Sequence, residues 1–552
     1  MKIFKRILII LLVIILAGGT FFYFRIKKMM DPNNFVKSQV EKQYDKEKTA
    51  PLKENLDFTP FKANIDKMSD LRYSDLEKLI VGSNIDTIHK NITEKKFTIE
   101  DLVTFYVKRI NKLDPKLNTI IELNPEALNI ARKLDKENKT NFSKDSLYGI
   151  PVLLKDNIAT KDKMHTSAGA AALKKSKPDE DAFIVKKLRN SNAIILGKAN
   201  LSEWANYTSS NFANGFSALG GQTHNPYGKF DVGGSSSGSA ASVASNLSTI
   251  SVGSETAGSM IYPSSQNSVV GIKPSLGLLS RYKIIPIAEA QDTAGAIGKN
   301  VSDATVLFNK MIGFDENDSI TKDASKYEKT DYTKFLDPNG LKGMNIGIAT
   351  NKLVTMHYRD DEDKIIDKVI KDLKKLGANV KEIKLDDSSF KANYSNVLKY
   401  EYKKGVNDYL KSINNPRIKN LQSIIEYNKK DKKSRIPYGQ DLMEKSQNNK
   451  ITEKENKDLV ISNRKITSKG IDDALKKNNV DVILTLSNYL SSVYAPAGYP
   501  AISVPSGYKP DGEPIGITLI GSKFQEGTLI KAAYSYEQGT KYRIDPKLTN
   551  LK

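Results

Sequence analysis

Seven consecutive glycine and serine residues, at positions 233–239, constrain the fold of this chain more than any other stretch. Both residue types are unfavourable inside helices and strands, so the run predicts a tight loop rich in hydroxyls and accessible backbone amides. An apolar small-residue segment, 240–253, leads from it to a second hydroxyl-rich loop, Thr256-Ala257-Gly258-Ser259. Apolar flanks on both sides argue against a flexible linker. We therefore expect the two loops to form two walls of one site.

The sequence GGSSSGSAASVASNLSTISVGSETAGSMIYPSSQNSVVGIKPS over residues 233–275 resembles the amidase signature. In that family, the first serine after a glycine pair bridges, through a cis peptide, between a lysine and a nucleophilic serine 24 residues further on. Ser259 lies 24 residues after Ser235. The resemblance therefore implies Ser235 as the bridging residue and Ser259 as the nucleophile. The segment GIPVLLKD, 149–156, is similar to the strand that carries the family's lysine, and it implies Lys155 as the base.

Amide hydrolysis needs a strong nucleophile, a proton carrier for the leaving nitrogen and donors for the oxyanion. Serine becomes nucleophilic only when its proton is removed, and a lysine can remove it only when the amine is neutral. Burial away from counter-charges lowers the pKa of a lysine in this way. We expect Ser235 to relay the proton between Lys155 and Ser259. The backbone N–H groups of Thr256, Ala257, Gly258 and Ser259 are the predicted oxyanion hole.

A second serine pattern competes with this interpretation. Gly234-Ser235-Ser236-Ser237-Gly238 matches G-x-S-x-G, which would make Ser236 the nucleophile of an α/β-hydrolase. Such an enzyme needs a later histidine, and His357 is the only one of the four histidines that follows. Its neighbours favour an ordinary surface or core histidine. No zinc-type histidine spacing and no phosphate-binding loop occurs, so neither a metal nor a cofactor is expected.

Alternating strand and helix patterns predict an α/β fold. Apolar strands are expected at 152–154, 193–197, 344–349, 480–486 and 501–504, with helices at 99–113, 181–190 and 360–376. Together with the resemblance, this implies the amidase signature fold, one large domain at 69–545 with a mixed β-sheet covered by helices on both faces. Residues 388–477 are interpreted as a helical excursion within it, and 546–552 as a tail.

The N-terminus carries an uncharged apolar run of 18 residues, 7–24, between basic flanks. As a helix it would span roughly 27 Å, enough for most of a bilayer core. The run predicts an N-terminal transmembrane helix in front of the domain, with residues 1–28 as a cytoplasmic tip and anchor and 29–68 as a stalk. The localisation expected is the cell membrane, single-pass, with the catalytic domain extracytoplasmic.

The net charge of +21 is compatible with nucleic acid, a membrane surface or an anionic cell-wall polymer as partner. Because the lysines are spread along the chain, a solvated basic surface is the preferred interpretation, and no nucleic acid is expected. Cysteine is absent, which excludes disulfides and thiolate catalysis. A catalytically idle protein that binds wall polymers stays as the alternative outside the enzyme class.

Within the family, three segments look like bacterial peptide amidases: LGKANLSEWAN at 196–206, GGQTHNPY at 220–227 and QDTAG at 291–295. The resemblance implies hydrolysis of peptide or amino-acid amides with release of ammonia. Many family members carry an arginine where Ile261 stands, so a small acidic substrate loses its bidentate partner. Met260 and Tyr262 suggest either apolar surroundings for the substrate or core packing. The runner-up is the A subunit of glutamyl-tRNA amidotransferase.

Overall fold

The computed structural model of the chain describes residues 32–45, 47–356, 358–359, 361–413 and 417–548. Within these ranges, one sheet of eleven strands and a two-stranded ribbon organise the fold. The strands are β1 Ile120–Leu123, β2 Pro151–Lys155, β3 Ile194–Ala199, β4 Phe216–Ser217, β5 Gly221–Gln222, β6 Ile250–Glu255, β7 Val270–Lys273, β8 Thr293–Gly298, β9 Asn345–Ala349, β10 Asn379–Ile383, β11 Val482–Leu486, β12 Ala501–Tyr508 and β13 Pro514–Ile520.

The large sheet has the order β1-β3-β2-β6-β8-β7-β12-β13-β11-β9-β10 and is mixed, as predicted. β2 is parallel to both β3 and β6, whereas β6 is antiparallel to β8. Every residue of β2, β3, β6 and β8 is buried. Consecutive side chains in a strand point to opposite faces, so both faces of the central sheet are covered.

The helices surround this sheet. They are α1 Pro32–Gln43, α2 Lys62–Lys67, α3 Asp70–Ile80, α4 Ile85–Thr93, α5 Ile99–Leu117, α6 Ala127–Lys136, α7 Phe183–Asn190, α8 Ser237–Ala244, α9 Ile261–Gln266, α10 Val301–Met311, α11 Lys352–Thr355, α12 Glu362–Lys375, α13 Tyr394–Ser412, α14 Leu421–Lys429, α15 Lys432–Arg435, α16 Asp441–Gln447, α17 Glu453–Lys477, α18 Ser491–Ala497 and α19 Glu526–Thr540. Helix α8 packs on β6, α10 packs on β7 and β8, and α9 packs on β12 and β13.

Local sequence signals account for several of these boundaries. Thr98 caps α5 and forms a capping box with Asp101, which satisfies N–H groups at the helix start. Pro115 lies in the last turn of α5, so the helix runs slightly beyond the predicted end. The excursion at 388–477 contains the five helices α13 to α17 among its described residues.

The Gly/Ser run differs from the prediction of a pure loop, because α8 begins inside it at Ser237. Only residues 233–236 lie outside regular structure. Small residues are needed here for packing: a Cβ at Gly238 would lie 2.4 Å from the Thr119 carbonyl oxygen and 2.5 Å from that of Asn200. The run therefore ends as a helix in close contact with neighbouring backbone.

The predicted transmembrane anchor at 7–24 lies outside the described residues. In the part of the chain that the structure describes, no helix combines the length and the apolar character needed to cross a bilayer. The longest helices, α5, α13 and α17, carry charged residues along their length. The fold prediction is therefore corrected: the α/β domain is present, whereas a transmembrane helix in front of it is not supported. The predicted single-pass membrane localisation and the predicted membrane partner depended on that helix, so they are not supported either.

Residues assigned to a stalk contact the domain. Helix α1 lies within that segment, and its Gln39 and Gln43 are buried. The Tyr44 hydroxyl donates to the Gly228 carbonyl at 3.1 Å, and the Tyr438 hydroxyl donates to the Lys42 carbonyl at 3.0 Å. These contacts hold the C-terminal end of α1 and the residue after it against the domain.

Candidate active site

Lys155 is the last residue of β2 and is completely buried. Its Nζ donates to Ser235 Oγ at 2.7 Å and to the Ser254 carbonyl at 3.1 Å. Because β2 and β6 run parallel, their carboxyl ends meet at one sheet edge, which places Lys155 beside the end of β6. The structure thus brings together Lys155 and Ser235, 80 residues apart in sequence.

Burial lowers the pKa of the Lys155 ammonium from 10.5 to about 7. The carboxylates of Asp292 and Glu255 oppose this shift, since a nearby negative charge favours the protonated amine. About half of the Lys155 side chains are then neutral at pH 7. A neutral amine in contact with a hydroxyl is able to accept a proton from it.

The Gly/Ser loop and the second loop are joined through their backbones. The peptide bond between Gly234 and Ser235 is cis. The Ser236 N–H donates to the Ser259 carbonyl at 3.0 Å, so Ser259 is held next to the residue that follows Ser235. Ser235 is completely buried, whereas Ser259 is partly exposed. Of the three predicted catalytic residues, Ser259 is the one open to a substrate.

The predicted oxyanion loop presents free backbone donors. Among the described residues, no hydrogen bond is made by the N–H groups of Ala257, Gly258 or Ser259. The loop is closed by Glu255, whose Oε2 accepts from Met260 N at 2.7 Å and Ile261 N at 3.0 Å. Gly258 has a φ of +92°, a backbone conformation that residues other than glycine rarely adopt. The turn thereby leaves consecutive N–H groups available to an acceptor.

Asp292 supports the same loop from the start of β8. Its Oδ1 accepts from the Thr256 hydroxyl at 2.5 Å, and its Oδ2 accepts from Ile287 N at 2.8 Å and Ala288 N at 2.9 Å. Burial raises the pKa of Asp292 to about 6, although these hydrogen bonds oppose the shift. From the sequence, Asp292 was interpreted as a loop cap. The structure shows that it also touches the predicted oxyanion loop and acts electrostatically on Lys155.

Ser236, the competing nucleophile, is completely buried. Its hydroxyl donates to the Ser254 carbonyl at 3.0 Å and accepts from Ser254 N at 3.3 Å. His357, the partner that this alternative requires, lies outside the described residues. The environment of Ser236 is that of a structural hydroxyl that links α8 to β6.

A cavity of about 200 Å³ lies beside Thr256 and Asp292. Ile285, Pro286 and Ile287 form an apolar part of its lining, and residues of helix α13 also line it. Arg281 at this cavity is bound by the Asp318 carboxylate through Nε and Nη2. The guanidinium charge is therefore compensated within the protein.

Of the two residues next to Ser259 whose role was left open, Met260 is core packing, whereas Tyr262 is half-buried and makes a polar contact. Met260 and Ile261 are completely buried, in two separate hydrophobic clusters. Tyr262 donates its hydroxyl to Asp231 Oδ2 at 2.7 Å. Asp231 is a site residue that the sequence did not reveal. Its only signal was an acidic residue between the apolar Phe230 and Val232, shortly before the glycine pair.

Within the described ranges, no group of three or more histidine, aspartate or glutamate side chains is arranged to hold a metal ion. The polar groups around Lys155 are hydroxyls, backbone groups and the two carboxylates described above. The hydroxyls and the Lys155 amine can move protons, and the free backbone N–H groups of residues 257–259 can bind an oxyanion.

The sequence and the fold of this chain are similar to those of known proteins. A family model described as Amidase matches residues 101–492. A probable amidase of Arabidopsis thaliana is 39% identical over 85% of this chain and 92% of its own length. The crystal structure of an amidase family protein from Bacillus anthracis superimposes with a TM-score of 0.85, at 41% identity over 89% of this chain and 97% of that one. The native peptide amidase from Stenotrophomonas maltophilia has a TM-score of 0.78, at 35% identity over 85% and 99% of the two chains.

Proposed function

Since this chain belongs to the amidase family of amide-hydrolysing enzymes, we propose that it cleaves peptide or amino-acid amides and releases ammonia. The proposed catalytic residues are Lys155, Ser235 and Ser259. One observation carries this assignment: the completely buried Lys155, with a pKa of about 7, contacts the Ser235 hydroxyl. The next residue, Ser236, is hydrogen-bonded through its N–H to the Ser259 carbonyl. A lysine in water would be almost fully protonated and could not act as a base.

In the proposed reaction, neutral Lys155 accepts the Ser235 hydroxyl proton while Ser235 accepts the proton of Ser259. Ser259 Oγ then forms a bond to the substrate carbonyl carbon. The carbonyl oxygen becomes an oxyanion, which the free N–H groups of the 256–259 loop stabilise. The proton returns through Ser235 to the amide nitrogen, the C–N bond breaks and ammonia leaves. Water attacks the resulting acyl-enzyme along the same proton path and regenerates Ser259.

Two features support an uncharged group next to the scissile bond. Part of the lining of the cavity beside Thr256 is apolar, and its two cationic residues are paired, Arg281 with Asp318 and Lys283 with Glu180. A carboxylate in the substrate would therefore lack a free cationic partner there. The likeness to a peptide amidase supports the peptide class over fatty amides.

A catalytically idle protein that binds wall polymers is no longer supported, because the chain belongs to an enzyme family and keeps a polarised Lys155–Ser235 pair. The amidotransferase A subunit remains as an outcome of the substrate test. That enzyme class would require glutamine and a charged tRNA partner.

The substrate test measures ammonia release from the full chain over a panel of compounds. The panel contains peptide amides with apolar or neutral C-terminal residues, dicarboxylic monoamides, long-chain fatty amides and glutamine, with Ser259→Ala as the blank. We expect kcat/KM to be highest for the neutral peptide amides. A preference for fatty amides would leave the catalytic proposal standing and refute the peptide class. Activity only with glutamine and charged tRNA would favour the amidotransferase.

A further inference from the structure

Helix α1 places two glutamines on one face, Gln39 and Gln43, four residues apart. Their side chains are 6% and 3% exposed, whereas Glu41 between them is exposed. A buried primary amide is costly unless both its donor and its acceptor are paired. Each of these two amides has both ends paired, and in each case the partners belong to loops next to the candidate active site.

Gln39 Nε2 donates to the Phe212 carbonyl at 3.2 Å, and its Oε1 accepts from Asn214 N at 3.0 Å. Gln43 Nε2 donates to Asp231 Oδ1 at 2.6 Å, and its Oε1 accepts from Val232 N at 3.1 Å. Helix α1 thus binds two separate loops, 212–214 and 231–232, through matched pairs of hydrogen bonds.

Asp231 connects these bonds to the catalytic segments. It is completely buried and accepts from Gly233 N at 2.9 Å and from the Tyr262 hydroxyl at 2.7 Å. Asn214 Nδ2 donates to both of its oxygens, at 3.2 and 3.1 Å. Gly233 precedes Ser235 by two residues, and Tyr262 follows Ser259 by three. Asp231 therefore links the chain before one predicted catalytic serine to the chain after the other.

The glycine pair between Asp231 and Ser235 has little room to absorb a displacement. A Cβ at Gly233 would lie 2.7 Å from Pro263 Cα. A Cβ at Gly234 would lie 2.5 Å from Ser202 Oγ and 2.9 Å from Asn214 Oδ1. Movement of Asp231 or Asn214 is transmitted to Ser235, because the backbone between them is in contact on both sides.

We propose that Gln39 and Gln43 are positioning residues, through which α1 holds the 231–236 segment in the geometry that the Lys155–Ser235–Ser259 relay needs. The kinetic part of this inference rests on the proposed function. Reactive geometry must be kept within about 0.5 Å, and a misplacement of about 1 Å can cost roughly a hundredfold in rate. The segment in front of the family domain is then part of the active-site structure.

The test replaces Gln43 by methionine, which has a similar shape and no amide. The matched control is Glu41→Met on the exposed face of the same helix. We expect Gln43→Met to lower kcat about tenfold to a hundredfold with KM changed by less than about twofold, and Gln39→Met to act in the same direction. Glu41→Met should retain the kcat of the unaltered chain. Substrate contacts are not altered, so the loss should fall on kcat.

Amide hydrogen exchange supplies a second readout that does not require activity. In Gln43→Met, the N–H groups of Val232 and Gly233 should exchange faster, while those of β6 should keep their protection. Faster exchange with an unchanged kcat would refute the positioning role and leave a purely structural contact. Unchanged exchange at Val232 would refute the coupling itself. If the unaltered chain hydrolysed no amide of the panel, the proposed function would fail, and the exchange measurement would still decide whether α1 holds this loop.

Discussion

The most direct test of the proposed chemistry is the pH dependence of kcat/KM, because the proposed reaction requires a neutral Lys155. With a pKa of about 7, half of the Lys155 side chains are neutral at pH 7. At the ordinary value of 10.5, only about 0.03% would be neutral. Burial thus raises the neutral fraction of Lys155 at pH 7 by roughly a thousandfold.

The sign of the effect follows from the role of the base. Protonated Lys155 cannot accept a proton, so activity should fall as the pH drops below about 7. For an uncharged peptide amide, kcat/KM at pH 6 should be about one tenth of its plateau value, and at pH 5 about one hundredth. A profile that is flat from pH 5 to 9, or that rises only above pH 9, would refute the assignment of Lys155 as the base.

Asp292→Asn sharpens this measurement. The Asp292 carboxylate favours the protonated form of Lys155, so its removal should shift the acidic limb to lower pH by up to about one unit. Asparagine has nearly the same shape and can keep the contacts with Thr256 and the Ile287 and Ala288 N–H groups. Asp303→Asn is the control, because Asp303 is also buried but does not act on Lys155. If Asp292→Asn is active and the acidic limb of its kcat/KM profile stays at the same pH, the limb reports the ionisation of a group other than Lys155.

Three further predictions use the same structure. Ser259→Ala and Lys155→Ala should each remove nearly all amide hydrolysis, and Ser235→Ala should remove most of it. Ser236→Ala should keep the nucleophile and lower the free energy of unfolding by about 1 kcal/mol, because it loses a buried hydrogen bond. Wild-type turnover in Ser259→Ala together with an inactive Ser236→Ala would support Ser236 as the nucleophile instead. Burial raises the pKa of Glu203 from 4.5 to about 8, so the stability that the protonated Glu203 contributes is complete below pH 4.5 and is lost as the pH rises through about 8. Glu203→Gln should therefore have a higher melting temperature than the unaltered protein at pH 9 but not at pH 4. A melting-temperature difference that is the same at both pH values would contradict this. Glu513 is buried, yet Arg359 and Lys509 lower its pKa. Glu513→Gln should therefore lower the free energy of unfolding at pH 7, and this loss of stability should shrink as the pH falls through the lowered pKa of Glu513. An equal loss of stability at pH 3, measured by calorimetry, would argue against the ion pair as the cause.

The sequence by itself determined the order and spacing of Lys155, Ser235 and Ser259, and it located five strands and three helices of the domain to within four residues at each end. These features are local. The Thr98 capping box acts through hydrogen bonds within one helical turn, and the apolar runs that predicted β2 and β3 are continuous in the chain. The family resemblance likewise depends on residues that are close in the chain. The roles of the three catalytic residues stay predictions until the variants are measured.

Other features could not be obtained from local patterns. Trp204, Ala205 and Asn206 have φ of 51°, 54° and 73°, and no residue type in this stretch announces three consecutive left-handed conformations. The N-terminal apolar run suggested a membrane anchor and a stalk from hydropathy and polarity alone. Polarity did not reveal that the glutamines of α1 are buried, because an amide is compatible with burial once its partners from residues 212–232 are in place.

The state of the candidate site was decided by the tertiary structure. A lysine at the end of a strand has an ordinary pKa unless other segments exclude water from it, and those segments come from positions 235 and 254–292. Asp292 reaches the loop at Thr256 only because β6 and β8 pair antiparallel. Desolvation and electrostatic interaction depend on distance in space. The sequence therefore determined which groups were available, and the packing of distant segments decided their ionisation and their contacts.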